Sequence, residues 1–154
     1  MGQQQLLLVI LVTIVVGIAT VVAINIFGSS AEQANHDAVR QDLAQIATSA
    51  QGWYIKPAML GGGDNTFSDV DFRKITFPGE IDADDNTIST NLNGTYKISD
   101  ITDEGFKVTG YPSSQDNYTE GTTTGDWLEA YVTRGNMTAS PAVNVAAPGQ
   151  PEED

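Results

Sequence analysis

The chain has 154 residues, with 20 Asp plus Glu against 7 Lys plus Arg, a formal charge of −13, no Cys and one His. That length suits about one domain, and the acidic surplus works against a nucleic-acid partner, whose phosphates must be neutralised by basic patches. Without Cys and with His36 alone, disulfide frameworks, thiolate chemistry and Cys/His zinc sites are excluded.

Residues 6–27 carry no charged side chain and are dominated by Leu, Val and Ile, with Thr13, Gly17, Thr20 and Asn25 as interruptions. An apolar run of this length without a turn signal reads as helix. At 1.5 Å per residue it covers ~33 Å, enough for a hydrocarbon core of about 30 Å. A secretory signal would show a charged n-region, a shorter apolar core and a small-residue cleavage site. Met1 to Gln5 carry no Lys or Arg, so the segment is expected to stay attached. Leu6 stands where a myristoylation pattern needs Ser or Thr. The first basic residue after the run is Arg40, preceded by Glu32 and Asp37, so flanking charge sets no orientation. The acidic composition places the head outside the cytoplasm as an expectation.

After residues 28–30, helical periodicity resumes through Ala31, Ala34, Ala38, Leu43, Ile46, Ala50 and Trp53, one apolar stripe. Glu32, Gln33, Asn35, Asp37, Arg40, Gln41, Asp42 and Gln45 fill the polar positions between, and His36 reads as an exposed helix residue. No Pro precedes Pro57, so one helix of about 53 residues and ~80 Å is predicted over 3–55, with Gly17 and Gly28 its weak points. Such a rod cannot bury both halves inside one small chain. Lipid or identical helices must cover the first half, and a sheet the second. Thr13 with Gly17 and Ala19 with Ala23, each four apart, permit close helix approach; the same spacing also suits a plain membrane anchor.

Pro57 ends the helix, and Gly61, Gly62, Gly63, Asp64 and Asn65 read as a loop. No strand precedes this loop and no Lys- or Ser/Thr-led helix follows, so it is not a phosphate cradle. Residues 57–93 are predicted as the loop region joining helix to sheet. Within them Asp82, Asp84 and Asn86 present alternating oxygens of the kind that suit Ca²⁺. Thr87 occupies the EF-hand glycine position and Asn93 its closing glutamate position, so a solvated acidic turn is the stronger reading.

From Gly94 the pattern changes to period two. Residues 95–101 and 105–111, around Asp103, Glu104 and Gly105, predict a hairpin; 127–133 predict a third strand and 136–145 a short edge strand. The fold class is therefore α+β. The helix is packed by its C-terminal half, through Ala38, Leu43, Ile46, Ala50 and Trp53, on an antiparallel sheet of three to four strands. The organisation reads as an apolar helix (1–27), its amphipathic continuation (28–56), a loop region (57–93), a β head (94–145) and an acidic tail (146–154) expected to be loosely held. Asn93, Asn117 and Asn136 head glycosylation sequons. A head this small leaves little room for the cleft that a carboxylate pair would need, and no catalytic or cofactor-binding residue is assigned.

This order of apolar helix, amphipathic continuation, loop and small sheet resembles the type IV pilin and pseudopilin superfamily over nearly the whole chain. Locally, Met1-Gly2 followed by Gln3-Gln4-Gln5 and the apolar run resembles a very short prepilin leader. The resemblance implies cleavage after Gly2 by a prepilin peptidase, leaving Gln3 first. The chain departs from the family pattern in lacking basic leader residues and a C-terminal Cys pair. Gln3 stands where the family usually has an aromatic residue, Leu7 near its usual glutamate, and Gly17 nearest its helix-breaking proline.

What the resemblance implies is a non-enzymatic subunit of an extracellular filament on the cell surface, reached through an inner-membrane intermediate and the pilus assembly machinery. Its partners would be the membrane and then other copies of itself, through an assembly core of Leu7, Ile10, Thr13, Ile14, Gly17, Val21 and Ile24. The alternatives are a pseudopilin of a type II-like secretion system and a membrane-anchored extracytoplasmic domain that holds Ca²⁺ or a cationic ligand.

Overall fold

The computed structural model describes residues 2–115, 118–119, 122–123, 127–134 and 141–142. Helix α1 runs Gly2–Tyr54, within a residue of the predicted span at each end and unbroken through Gly17 and Gly28. The chain divides into two compact units, Met1–Ala34 and Asn35–Asp154.

The first unit is helix throughout its described residues. Its large apolar side chains from Leu6 to Phe27 are all solvent-facing, from 47% exposed at Ile10 to 75% at Phe27. The hydroxyls of Thr13 and Thr20 donate back to the carbonyls of Ile10 and Val16, each at 2.8 Å. Both polar groups are thereby satisfied within the helix, as an apolar surrounding requires.

The second unit is a helix-on-sheet layer. Its strands are β1 (Glu80–Ile81), β2 (Ile88–Thr90), β3 (Gly94–Ser99), β4 (Gly105–Pro112), β5 (Tyr118–Thr119), β6 (Thr122–Thr123), β7 (Leu128–Thr133) and β8 (Pro141–Ala142). Six form one antiparallel sheet in the order β1-β2-β3-β4-β7-β8, and β5 pairs with β6 separately. The predicted hairpin is β3 with β4, the third strand is β7, and β8 lies in the predicted edge segment. β1 and β2 fall inside 57–93, predicted as loop. At two and three residues they are too short for alternation to show in the sequence.

The core joins Val39, Leu43, Ile46, Ala47, Ala50, Trp53 and Tyr54 of α1 to Tyr96, Ile98, Phe106, Val108, Leu128, Ala130 and Val132 of the sheet. Phe67, Val70, Phe72 and Ile75, from the segment between α1 and β1, complete it. The predicted stripe is right at Leu43, Ile46, Ala50 and Trp53, while Ala38 is only half-buried. Ala31 and Ala34 are exposed and belong to the first unit. Val39 lies against β4 so closely that a Cβ on Gly110 would sit 2.7 Å from Val39 Cγ1. Aromatic rings extend the layer: Tyr54 stacks on Phe67 at 4.6 Å, and Phe77 meets Tyr96 edge-on at 5.0 Å.

The glycine-rich segment after α1 is a cap. N–H groups of Gly63 and Asn65 donate to the carbonyls of Trp53 and Tyr54, both at 2.9 Å, and that of Asp64 to Lys56 at 3.1 Å. Asp64 and Asn65 take left-handed φ of 51° and 67°, a conformation that Asp and Asn tolerate better than most residues. The amides of Gly63 and Asn65 are thus committed to the helix end, and those of Gly61, Gly62 and Asp64 to the turn that follows it.

Candidate functional site

The residues predicted for assembly, Leu7, Ile10, Thr13, Ile14, Gly17, Val21 and Ile24, all lie in the first unit and all face solvent. Leu7, Ile10, Ile14, Gly17, Val21 and Ile24 recur at alternating steps of three and four, which sets them along one face of the helix. A Cβ on Gly17 would meet nothing within 4 Å, so the face is flat there and open to close approach by another helix. By length and composition α1 is long and apolar enough to cross a membrane. Burial of such a face is worth about 25 cal/mol per Å² of apolar surface. Gly2 and Gln3, the predicted processing residues, form the first described turn of the same helix.

A second feature lies at the other side of the fold's chemistry. Asp42 sits on the buried face of α1, 8% exposed, one turn from Val39 and Ile46. Its Oδ2 accepts hydrogen bonds from Tyr96 Oη at 2.6 Å and from Asn91 Nδ2 and Asn93 Nδ2 at 2.8 Å each. Burial, and then the neighbouring Asp42 carboxylate, push the Tyr96 hydroxyl well above the usual tyrosine range. Two turns earlier on α1, Asn35 Nδ2 donates to the carbonyl of Asn93 at 2.8 Å, and Asn35 Oδ1 accepts from Ser114 N–H at 3.1 Å. The turn between β2 and β3 is closed by Asn91 Oδ1, which accepts from the N–H groups of Asn93 and Gly94 at 2.8 and 3.1 Å. Asn35 and Asp42 therefore clamp the 91–93 turn to the helix.

The clamp engages Asn93, one of the three predicted glycan acceptors: its amide nitrogen donates to the buried Asp42 carboxylate. Asn117 and Asn136 lie outside the described residues, as does the acidic tail 146–154.

The Ca²⁺ candidates are built into a turn. Asp82 Oδ1 accepts from the N–H groups of Asp84 and Asp85 at 2.9 and 3.1 Å, and the Asn86 carbonyl accepts from Phe72 N–H at 3.0 Å. Asp85 Oδ1 accepts both the N–H and the hydroxyl of Thr87, and these bonds hold its carboxyl below the ordinary aspartate range. Among the described residues no group of three or more His, Asp or Glu side chains is placed to hold a metal ion.

The sequence reading placed Asp42 among the solvent-facing residues. Its signal was phase: Asp42 falls between Val39 and Ile46 at steps of three and four, in register with the apolar positions. On the sheet, Lys107 Nζ pairs with Asp100 Oδ2 at 2.9 Å and stands 3.9 Å from Glu129 Oε1. The bond to Asp100 holds the Lys107 ammonium above the usual lysine range against the opposing effect of burial.

In comparison with known proteins, no family model, no curated protein and no solved structure matches the chain.

Proposed function

We propose that the chain is the structural subunit of an extracellular, type IV pilus-like helical filament. Its α1 faces would pack together in the filament core, with the acidic heads outward. The observation that supports this reading is the contrast between the units. Residues 35–54 of α1 have a complete core of their own, whereas the apolar side chains from Leu6 to Phe27 have no cover at all. Water is a poor solvent for that surface. A membrane covers it before assembly, and copies of the same helix cover it afterwards. Prepilin peptidase cleavage after Gly2 would release the subunit for assembly. The acidic heads oppose the packing weakly, because salt screens charges within about 8 Å.

Negative-stain microscopy of sheared cell-surface material, with labelling against the head, tests the reading. Labelled filaments are the expected result. Recovery of the chain solely from detergent extracts, with no labelled filament, would overturn it in favour of a membrane-anchored head.

A further inference from the structure

Asn93-Gly94 is the one Asn-Gly step in the chain, and the fold requires both residues. A Cβ on Gly94 would run into the carbonyl oxygen of Tyr111 on the paired strand β4, so a larger residue cannot stand at 94. Asn93 supplies Asp42 with one of its three donors. The same step is where a peptide chain most readily modifies itself, because the missing side chain leaves the following nitrogen open to close approach. The Gly94 nitrogen loses its proton and attacks Asn93 Cγ, the Cγ–Nδ2 bond breaks, and the amide nitrogen takes up a proton and leaves as ammonia. Water then opens the cyclic imide at either carbonyl, which leaves Asp or its β-linked isomer at 93.

The clamp withholds each movement that this ring closure needs. Asn93 must swing its Cγ towards the Gly94 nitrogen, but its Nδ2 is held on Asp42 Oδ2 at 2.8 Å. Gly94 N–H must give up its proton, but it donates to Asn91 Oδ1 at 3.1 Å. The peptide between the two must turn, but its carbonyl accepts from Asn35 Nδ2 and from Ser113 N–H, both at 2.8 Å. The Gly94 carbonyl in turn accepts from Asn91 N–H at 2.9 Å, and Gly94 itself is buried. Ring closure therefore has to wait for local opening of the turn.

We propose that Asn93-Gly94 is a deamidation site which the Asn35–Asp42–Asn91 clamp keeps closed, and which converts once the turn lets go of α1. Conversion runs one way. It replaces a donor to Asp42 by a second carboxylate, so like charges meet where a hydrogen bond stood, beside the buried Tyr96 hydroxyl. The β-linked isomer also inserts the Asp methylene into the backbone and disturbs the register of Gly94 with Pro112. An opened turn does not reclose as it was, and the altered residue is a lasting record of the opening. The inference is independent of what covers residues 6–27.

The full chain, held in detergent, is incubated in warm, mildly alkaline buffer, and residue 93 is followed against time by mass spectrometry of its peptides. The same chain in urea is the unclamped reference. Asn93 should convert at least about tenfold more slowly in the folded chain than in urea. Asp42→Ala and Asn91→Ala should each raise the folded-state rate several-fold and leave the rate in urea unchanged. Val132→Ala, at the other end of the sheet from Gly94, is the control for general loosening and should raise the rate less than either. If Asp42→Ala does not fold, Asn91→Ala, which leaves the helix untouched, carries the comparison. Equal rates in the folded chain and in urea would overturn the proposal, as would a Val132→Ala rate that matches the clamp variants. Asn93→Asp, the product made by substitution, should unfold at lower urea than the parent; an unchanged midpoint would overturn the one-way step.

Discussion

The hydroxyl of Tyr96, wholly buried in β3, donates a 2.6 Å hydrogen bond to the carboxylate of Asp42 on α1. Three donors converge on that one oxygen, so a charge on the packed face of the helix becomes a joint between the two layers.

Replacing Asp42 by Ala leaves Tyr96 and the amides of Asn91 and Asn93 without their acceptor. Stranded buried donors are costly, and a loss of about 2–4 kcal/mol is expected. Urea unfolding followed through the fluorescence of Trp53 and Trp127 measures it. Asp42→Asn, which keeps an acceptor, loses less; a midpoint unchanged in Asp42→Ala would show the joint to be ornamental.

Stability should fall in strong alkali. Tyr96 is raised above its unfolded value of about 10, so its contribution is full below that pH and is lost as pH climbs beyond it. Lys107, also raised, adds a loss of the same sign in the same region. Urea midpoints recorded from pH 8 upward should therefore decline above about pH 10, and Tyr96→Phe should lessen the decline without abolishing it. A Tyr96→Phe profile that superimposes on the parent would refute the assignment.

Gly110→Ala places a methyl 2.7 Å from Val39 Cγ1 and 3.3 Å from the Tyr96 ring. Overpacking of this kind costs about 1–3 kcal/mol. Val39→Ala creates room, so the double variant should be less destabilised than the sum of the two singles. A double-mutant cycle by chemical denaturation gives the coupling directly, and strict additivity would mean that the helix shifts away rather than clashes.

Val15→Asp puts a charge on the exposed apolar helix, and Gly17→Leu fills its flat position. Each is expected to abolish filaments while tryptophan fluorescence and the urea midpoint of the head stay at parental values. Normal filaments from Val15→Asp would speak strongly against a packed α1 core.

Much of this architecture was legible in the residues themselves. The unbroken apolar run and the lack of proline before Pro57 located α1, and the alternation around Thr95–Ile101 and Gly105–Tyr111 located β3 and β4. Periodicity needs several repeats to declare itself, which is why β1 and β2 were hidden. The stripe is right at Leu43, Ile46, Ala50 and Trp53, but its first positions are alanines, which carry little information about burial. Val39, one position beyond Ala38, is where the packed face begins, and Tyr54 joins Trp53 at its other end. Asp42 was obscured for a different reason: a carboxylate reads as solvent-facing until its donors are known, and Asn91, Asn93 and Tyr96 lie about fifty positions away in sequence. Asn93 shows the converse, since a sequon records a triplet and not the engagement of its nitrogen.

The grip of Asn35 on the 91–93 turn also has a mechanical meaning. Asn35 is the first residue of the second unit, and its bonds to the Asn93 carbonyl and the Ser114 N–H are the first side-chain ties between α1 and the turn; the Asp42 cluster two turns on is the second. Two ties set two turns apart resist rotation of the turn about either one, so residues 91–93 are fixed in direction as well as in place.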